Sequence, residues 1–267
     1  MRPFFINLFH GIRSPHISYK NVSSYSILAK YYDEIMSHVD YAFWAGYIRT
    51  LIHTYSIPHT MIIDIGGGTG SLAVELAKMD YTADMLDISP HMIEAAGAKM
   101  KRSGSEDGLY LGDIRDFSID RNYDLVLCVH DTINYMHTEH DLERAFKNVW
   151  MHLEKGGFFI FDSCTEYNVK ENFENKVFSK EYSTFSYIWK NVYKKRKKNI
   201  EVHLEIIEKS DPGICYKEKH VHTIHSIDNI LHLSYNYFDM VAVLDGFTTD
   251  PCHAQTEEVY FILKKKE

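Results

Sequence analysis

The sequence has no long uncharged apolar run, no internal repeat and no excess of basic residues. No apolar stretch approaches the ~20 residues that a helix needs to cross a bilayer, so no membrane-spanning segment is predicted. No self-similar period of the kind that solenoids show is present. The 29 Lys and Arg residues stand against 37 Asp and Glu residues, which gives a net charge of −8. This balance disfavours nucleic acid as a partner, since such proteins bind through the phosphates.

The four cysteines lack the C-x-x-C spacing of zinc sites and redox motifs. They are scattered at Cys128, Cys164, Cys215 and Cys252, which favours reduced thiols over a disulfide framework. We therefore expect a cytoplasmic protein without a zinc site.

Strand and helix patterns alternate along the first part of the chain. Its 267 residues are 45% hydrophobic and 14% aromatic, which is enough apolar material for a sizeable core. Short apolar runs are typical of buried strands, and between them apolar residues recur at helical spacing. The predicted strands are 61–65, 83–87, 109–111, 124–129 and 158–161, and the predicted helices lie within 26–56, after 70, after 89 and from 138 to the glycines at 156–157. This alternation predicts a doubly wound α/β fold whose parallel sheet is covered on both faces.

The pattern changes after Cys164. Residues 185–189 and 200–206 alternate apolar and polar side chains, as strands with one wet face do, and a third strand is predicted near 214–225. The chain is thereby divided into an extension at 1–23, a core at 24–164, an antiparallel β insert at 165–225 and a return to the core sheet at 226–267. The insert is expected to form a substrate lid or an oligomer contact.

The strongest functional signal is the turn Asp64-Ile65-Gly66-Gly67-Gly68-Thr69-Gly70 between a predicted strand and a predicted helix. Glycines allow left-handed backbone angles and remove the Cβ atoms that would keep a ligand from the main chain. A nucleotide-like ligand is therefore indicated. The spacing Gly68-x-Gly70-x-x-Ala73 also satisfies the fingerprint of NAD-binding proteins, so the turn alone leaves both ligands open.

Two carboxylates follow the next strands. Asp87 ends a predicted strand 23 residues after Asp64, where a carboxylate accepts both hydroxyls of a ribose. Gly112-Asp113-Ile114 places a carboxylate beside an apolar residue, where an adenine is held by its amino group and its face. Dinucleotide folds have less use for this second feature, because their ligand runs toward a second mononucleotide half.

With these motifs, the sequence resembles a class I S-adenosylmethionine-dependent methyltransferase. The matching elements are D-x-G-x-G-x-G at residues 64–70, the D-x-S-x-x-M segment at 87–92, Gly112-Asp113-Ile114, and Tyr123-Asp124-Leu125-Val126. The resemblance covers roughly residues 24–164 and the last forty residues. It implies a Rossmann-like, mostly parallel sheet of seven strands, with S-adenosylmethionine as the cofactor.

The resemblance also implies a set of cofactor-binding residues. The backbone of Gly66, Gly67, Gly68 and Gly70 would approach the amino acid part of the cofactor, next to Asp64. Asp87 would take the ribose hydroxyls, Ile88 and Met92 would flank the adenine, and Asp113 and Ile114 would lie at its amino edge, with Val129 nearby. Core packing is the alternative for Ile88 and Met92, and a helix cap is the alternative for Asp113.

The N-terminal region resembles the start of small-molecule methyltransferases. Tyr31-Tyr32-Asp33 and the segment 41–44 are similar to sugar N,N-dimethyltransferases and glycine N-methyltransferase-like enzymes, in which an amino-terminal helix folds over the cofactor. Tyr32 and Trp44 are the candidates for contact with the cofactor. Packing within amphipathic helices is an equally good interpretation of both.

The segment Cys128-Val129-His130-Asp131-Thr132-Ile133-Asn134-Tyr135 ends the fourth strand, where open α/β sheets bind ligands. It resembles the D-S-x-N-Y element of small-molecule members, so Asp131, Asn134 and Tyr135 are predicted to bind the substrate. His130 is the candidate catalytic base, since imidazole accepts protons near neutral pH; shaping the pocket is its alternative role. The sequence lacks the D/N-P-P-Y/F motif, which disfavours planar base amines as acceptors.

Some alternatives stay open. His220, His222 and His225 share a strand face and suggest a metal site, but no carboxylate or cysteine cluster accompanies them, so a lid or surface strand is preferred and no metal is expected. The basic run at 194–198 is interpreted as a solvated hairpin end. The predicted function is methyl transfer to a nitrogen or oxygen of a small molecule, and a homo-oligomer is expected. The alternatives are a nicotinamide-dependent oxidoreductase and a non-catalytic cofactor-binding module.

Overall fold

A computed structural model describes residues 17–104 and 108–267. The helices are α1 (Leu28–Ile35), α2 (Tyr41–Thr54), α3 (Ser71–Ala77), α4 (Pro90–Ser103), α5 (Glu139–His152), α6 (Glu166–Asn168) and α7 (Ile227–Ser234). The strands are β1 (Ser18–Asn21), β2 (Ile62–Ile65), β3 (Ala83–Asp87), β4 (Leu109–Leu111), β5 (Tyr123–Cys128), β6 (Leu153–Cys164), β7 (Val177–Glu181), β8 (Phe185–Lys194), β9 (Asn199–Glu208), β10 (Ile214–Thr223), β11 (Phe238–Asp245) and β12 (Glu258–Lys265). Within the described ranges, none of these helices combines the length and apolarity of a bilayer span.

Seven strands form the main sheet, in the order β11-β12-β6-β5-β2-β3-β4. The strands from β6 to β4 are parallel, whereas β12 pairs antiparallel with both β6 and β11. The prediction of a doubly wound, mostly parallel sheet of seven strands is confirmed. Since the carboxyl ends of the parallel strands meet at one edge, the loops that follow β2, β3, β4 and β5 lie side by side.

Apolar side chains cover both faces of this sheet. On one face α5 packs Leu142 and Phe146 against Phe159, and on the other α2 packs Ile48 and Leu51 with strand residues such as Ile62. The helices α2, α4 and α5 each begin with a side-chain N-cap. The N-cap residues Asp40, Ser89 and Thr138 accept from the backbone N–H groups of Phe43, Met92 and Asp141.

The second sheet has the order β1-β10-β9-β8-β7, and α1 packs against it. Its strands β8, β9 and β10 lie where an antiparallel insert is predicted. The edge strands β1 and β7 were not predicted, because every side chain in them is exposed and leaves no apolar alternation. Residues 18–21 of the predicted extension therefore belong to a strand, parallel to β10, while residues 1–16 lie outside the described part.

One predicted boundary is wrong. Gly156-Gly157 was expected to end the fifth helix, but α5 already ends at His152 and β6 runs through both glycines. The pairing of β6 with β5 shifts its register there, and Gly156 has a φ of +77°. A Cβ at Gly157 would lie about 3.0 Å from the carbonyl oxygen of Glu154, so the glycines serve a strand irregularity.

Candidate functional site

A cavity of about 550 Å³ opens at the carboxyl ends of the parallel strands. This is where open α/β sheets bind their ligands, and the volume lies within the usual range of small-molecule sites. The predicted site residues that line it are Tyr32, Trp44, Asp64, Gly66, Gly67, Gly68, Asp87, Ile88, Met92, Asp113, Ile114, Val129, His130 and Tyr135. Gly70, Asp131 and Asn134 do not line it.

The glycine turn after β2 forms the floor of the cavity. Gly66 and Gly68 have φ angles of +76° and +58°, in the left-handed region that favours glycine. A Cβ at Gly66 would overlap the side chain of Thr132, whereas a Cβ at Gly68 would meet no described atom within 4 Å. The backbone of Gly68 therefore borders open space that a ligand in the cavity can occupy. Gly70 instead begins α3 and packs against Ala96 of α4.

Asp87 binds the glycine turn and keeps capacity for a ligand. Its Oδ2 accepts from the Gly68 N–H at 2.9 Å, and its Oδ1 accepts from the Ser89 N–H at 2.8 Å. Burial raises the pKa of Asp87, and the backbone hydrogen bonds oppose that rise. A carboxylate has about four lone-pair sites, so each oxygen retains room for one further donor. Two adjacent hydroxyls, as on a ribose, match that capacity.

The other carboxylates of the cavity differ from Asp87 in their surroundings. Asp64 is buried, and burial together with the charges of Asp87 and Asp162 raises its pKa to about 7. Asp113 is held by Arg115, whose Nε lies 2.9 Å from Oδ1. Although burial acts to raise the pKa of Asp113, these hydrogen bonds outweigh it and hold the pKa below its usual value.

The apolar wall consists of side chains near the ends of β3 and β4. Met92 and Ile114 are buried, whereas Ile88 is 60% exposed and lies at the mouth of the cavity. An exposed isoleucine in a cavity mouth is more readily explained by a ligand face than by core packing. The glycine floor, the spare acceptors of Asp87 and this apolar wall together fit an adenosyl group.

The N-terminal helices cover the opposite side of the cavity. The Tyr32 hydroxyl lies 3.5 Å from His130 Nδ1, and the Trp44 ring packs edge-on against the His130 ring. Lys99 of α4 binds Asp33 of α1 and Ser71 of α3, and thereby fixes α1 beside the glycine turn. Sequence analysis missed this link, which joins three separate segments, although Asp33 directly follows the predicted tyrosines.

The loop after β5 holds His130 in a strained conformation. His130 and Asp131 have φ angles of +65° and +63°, which are uncommon for residues with a side chain. The buried Asp162 accepts from both backbone N–H groups, at 2.6 Å and 2.8 Å. Burial lowers the pKa of His130, so its ring is neutral near pH 7 and faces the cavity without a proton on one nitrogen.

Asn134 lies away from the cavity, contrary to the prediction that it binds the substrate. Its side chain is fully buried, with Nδ2 donating to the Thr223 carbonyl at 2.8 Å and to Ser163 Oγ at 3.2 Å. Its Oδ1 accepts from the Cys164 N–H at 3.1 Å. Asn134 therefore joins the β5 loop to both sheets. Asp131 likewise does not line the cavity.

Replacing Asn134 with alanine is expected to reduce the free energy of unfolding by about 3 kcal/mol, because buried groups of Thr223 and Cys164 lose their partners. Urea denaturation measures this loss, with the exposed Asn236→Ala as the control that leaves stability nearly unchanged. A loss below about 1 kcal/mol would contradict the structural role.

Several cavity residues were missed because their signals are not local. Tyr25 precedes α1, Tyr41 begins α2, and both line the cavity. The buried His220 and Glu218 lie on β10 and reach the cavity through Tyr25 and Tyr135. The three histidines suspected of binding metal have separate roles. His220 binds Tyr135 and Glu218, His222 packs on the Tyr135 ring, and His225 binds the Met136 carbonyl.

Sequence comparisons show that the chain is similar to methyltransferases. Residues 62–157 match the model of a family described as a methyltransferase domain. A putative methyltransferase of Geobacillus sp. (strain WCH70) is 25% identical over 246 residues, which cover 91% of this chain and 100% of the relative. The dTDP-4-amino-2,3,4,6-tetradeoxy-D-glucose N,N-dimethyltransferase of Saccharopolyspora spinosa is 31% identical over 124 residues, which cover 46% of this chain and 48% of the relative.

The fold also matches a solved structure over most of its length. The S-adenosylmethionine-dependent methyltransferase from Clostridium acetobutylicum ATCC 824 superimposes with a TM-score of 0.78 at 24% sequence identity. The match covers 91% of this chain and 99% of that one. The likeness therefore includes the antiparallel insert as well as the α/β core.

Proposed function

We propose that this chain is an S-adenosylmethionine-dependent methyltransferase that methylates a nitrogen or oxygen of a small molecule, with an amine nitrogen favoured. The alternative of a nicotinamide-dependent oxidoreductase is set aside, because antiparallel β12 and β11 take the place of a second mononucleotide half. We further propose a cytoplasmic location, consistent with four free cysteines, and a homo-oligomer.

We propose that the cavity residues hold the cofactor as the family resemblance implies. When bound, S-adenosylmethionine supplies a methyl group carried by a positively charged sulfur. Asp87 would accept from the ribose hydroxyls, and the backbone of Gly66 and Gly68 would lie along the amino acid part near Asp64. Ile88, Met92 and Ile114 would flank the adenine, with Asp113 and Val129 at its edges. The chain also aligns the two reactants.

The composition of the cavity wall favours an amine acceptor. Tyr25, Tyr32, Tyr41 and Trp44 line the side opposite the glycine turn, and aromatic faces attract cationic groups. Among the described lining residues the only permanently charged cation is Arg115, which is already paired with Asp113 and Asp141. The described lining therefore offers no unpaired lysine or arginine that could bind a phosphate or carboxylate of the acceptor. This aromatic wall without a free cation is the observation that carries the proposal.

His130, Tyr135 and Asp131 are proposed to act on the acceptor side. The His130 ring contacts Trp44 and Tyr32 and borders the cavity, so it is placed to touch the acceptor. Tyr135 also borders the cavity, while the Asp131 backbone N–H donates to Asp162 behind the lining. Measuring kcat of His130→Ala across pH separates a proton-accepting role, which changes the pH profile, from a shaping role, which leaves its form unchanged.

A product screen tests the proposed function. The purified chain is incubated with S-adenosylmethionine and a panel of small amines, alcohols, carboxylates and dTDP-linked amino sugars. S-Adenosylhomocysteine and methylated products are measured by mass spectrometry. We expect turnover with amines that lack phosphate. Methylation of carboxylates or phosphate-bearing compounds alone would contradict the amine assignment, and turnover with nucleic acid or protein alone would contradict a small-molecule acceptor.

Binding of S-adenosylhomocysteine at pH 7 is expected to release about half a proton from Asp64. With a pKa of about 7, Asp64 is half protonated there, and a nearby ligand ammonium favours its charged form. Calorimetry in two buffers with different ionisation enthalpies measures the release. Asp64→Asn should abolish it. Equal binding heats in both buffers for the wild-type chain would show that the ammonium does not approach Asp64.

A further inference from the structure

A row of hydrogen bonds leads from the cavity into the second sheet. The Tyr25 and Tyr135 hydroxyls are 2.5 Å apart, and the Tyr135 hydroxyl lies 3.0 Å from His220 Nδ1. His220 Nε2 then lies 3.0 Å from Glu218 Oε2. Both tyrosines line the cavity, whereas His220 and Glu218 are almost fully buried behind them. The row Tyr25-Tyr135-His220-Glu218 therefore has one end in the cavity and its charged end in the protein interior.

The chemistry of the four groups fixes the direction of their hydrogen bonds. A carboxylate only accepts, so His220 Nε2–H donates to Glu218. In the neutral ring Nδ1 is then an acceptor, and Tyr135 must donate its hydroxyl proton to it. The Tyr135 oxygen consequently accepts from the Tyr25 hydroxyl. Every proton in the row points away from the cavity, and the free lone pairs at the cavity end belong to Tyr25.

Glu218 is held in its charged form. Burial acts to raise its pKa, but the hydrogen bonds from His220 and from the backbone N–H groups of Leu28 and Tyr25 outweigh it and lower the pKa. The Ile27 N–H also donates to its Oε1, at 2.7 Å. The carboxylate therefore holds the start of α1 and still binds His220, where a negative charge stabilises a positively charged imidazole.

We propose that this row removes the proton that the acceptor loses, an inference that rests on the proposed methyl transfer. The nitrogen lone pair of the acceptor forms a bond to the methyl carbon, and the electron pair of the broken S–C bond stays on sulfur. The N–H proton passes to the Tyr25 oxygen while the Tyr25 proton moves to Tyr135 and the Tyr135 proton moves to His220 Nδ1. Charge ends as a buried imidazolium beside the Glu218 carboxylate.

The two phenols cannot hold the charge themselves. Burial raises the pKa of both Tyr25 and Tyr135 well above that of an exposed tyrosine, so a tyrosinate is disfavoured. His130 is less suited than His220, because no carboxylate of the described residues binds its ring and burial lowers its pKa. Tyr25 is thus the catalytic residue that touches the acceptor, and Tyr135, His220 and Glu218 are positioning residues behind it.

Kinetics of single variants test the row, using the best amine of the product screen. Tyr135→Phe and His220→Asn are expected to lower kcat about 100-fold with little change in KM, since general-base catalysis typically contributes that much. The affinity for S-adenosylhomocysteine should stay within about twofold in both. Tyr135→Phe removes only a hydroxyl, so it keeps the test valid where changes at Glu218 disturb α1.

His203→Asn is the matched control. His203 and Glu201 form a similar His–Glu pair on the neighbouring strand β9, with Nε2 and Oε2 3.3 Å apart, but His203 is half exposed and lies outside the cavity lining. We expect wild-type kcat for this variant. Full kcat in Tyr135→Phe and His220→Asn would overturn the relay while leaving methyl transfer intact. Absence of S-adenosylhomocysteine binding in the wild-type chain would instead overturn the proposed function.

A spectrum supplies a readout that a structural role would not change. The groups facing His220 are Glu218, Tyr25, Tyr135 and His222. Nitrogen-15 NMR of histidine-labelled protein should show His220 protonated at Nε2, with Nδ1 shifted by Tyr135→Phe. The opposite tautomer would overturn the proposal.

Discussion

Replacing Gly68 with alanine is expected to weaken S-adenosylhomocysteine binding about 30-fold or more, while reducing the free energy of unfolding by only about 1 kcal/mol. The φ angle of +58° strains any side chain, but the added Cβ meets no described atom of the protein within 4 Å. The new methyl group therefore occupies space that the cavity offers to a ligand. Calorimetric titration and urea denaturation measure the two effects separately.

Gly104→Ala is the matched control for this substitution. Gly104 has a φ of +79° at the end of α4, no described atom lies within 4 Å of its added Cβ, and it does not line the cavity. The backbone strain is therefore comparable and the ligand contact is absent. We expect a similar loss of stability with unchanged affinity. Equal affinities of the Gly68 and Gly104 variants would show that the ligand does not approach the glycine turn.

Replacing Asp87 with alanine is expected to weaken the binding of S-adenosylhomocysteine about 100-fold or more. The carboxylate would lose two charge-assisted hydrogen bonds to the ribose, each contributing about 1.5–3 kcal/mol, and would release the Gly68 N–H that now binds Oδ2 at 2.9 Å. The variant thus removes a ligand contact and loosens the turn that forms the floor. Asp87→Asn should lie between the wild-type chain and the alanine variant.

Asp84→Asn provides the comparison on the same strand. Asp84 is also buried, and it accepts from Arg121, Tyr123 and the Gly108 N–H, but it does not line the cavity. This variant should lose about 2 kcal/mol of stability with unchanged affinity for S-adenosylhomocysteine. An affinity loss as large as that of Asp87→Ala would mean that the effect arises from the strand rather than from contact with the ribose.

The parts of the site that follow single strands could be predicted from the sequence. Strand ends, glycines and the carboxylates Asp64 and Asp87 are local features, because a parallel sheet brings the carboxyl ends of its strands together. The same local patterns gave the start of α4 at Ser89-Pro90. The roles of side chains that contact residues distant in the sequence were harder to predict. Asn134 has the sequence position of a site residue, yet its amide binds three partners in two later strands, β6 and β10.

The rest of the site depends on contacts between distant segments. Tyr25 and Glu218 are 193 positions apart, and nothing in either neighbourhood signals that they meet. Strand alternation placed His220 and His222 on one face of a strand. Whether that face points to solvent, metal or the cavity depends on the parallel pairing of β1 with β10 and on the packing of α1 against the second sheet. An exposed edge strand such as β1 has no apolar pattern, so its pairing with β10 could not be predicted from the sequence.

A crystal structure of the chain soaked with S-adenosylhomocysteine tests the central claim most directly. We expect the ribose hydroxyls within hydrogen-bonding distance of the Asp87 carboxylate, the amino acid part along the backbone of Gly66 and Gly68, and the sulfur facing Tyr25 and His130. Density for the ligand elsewhere, or a cavity filled by protein side chains at saturating ligand, would contradict the account.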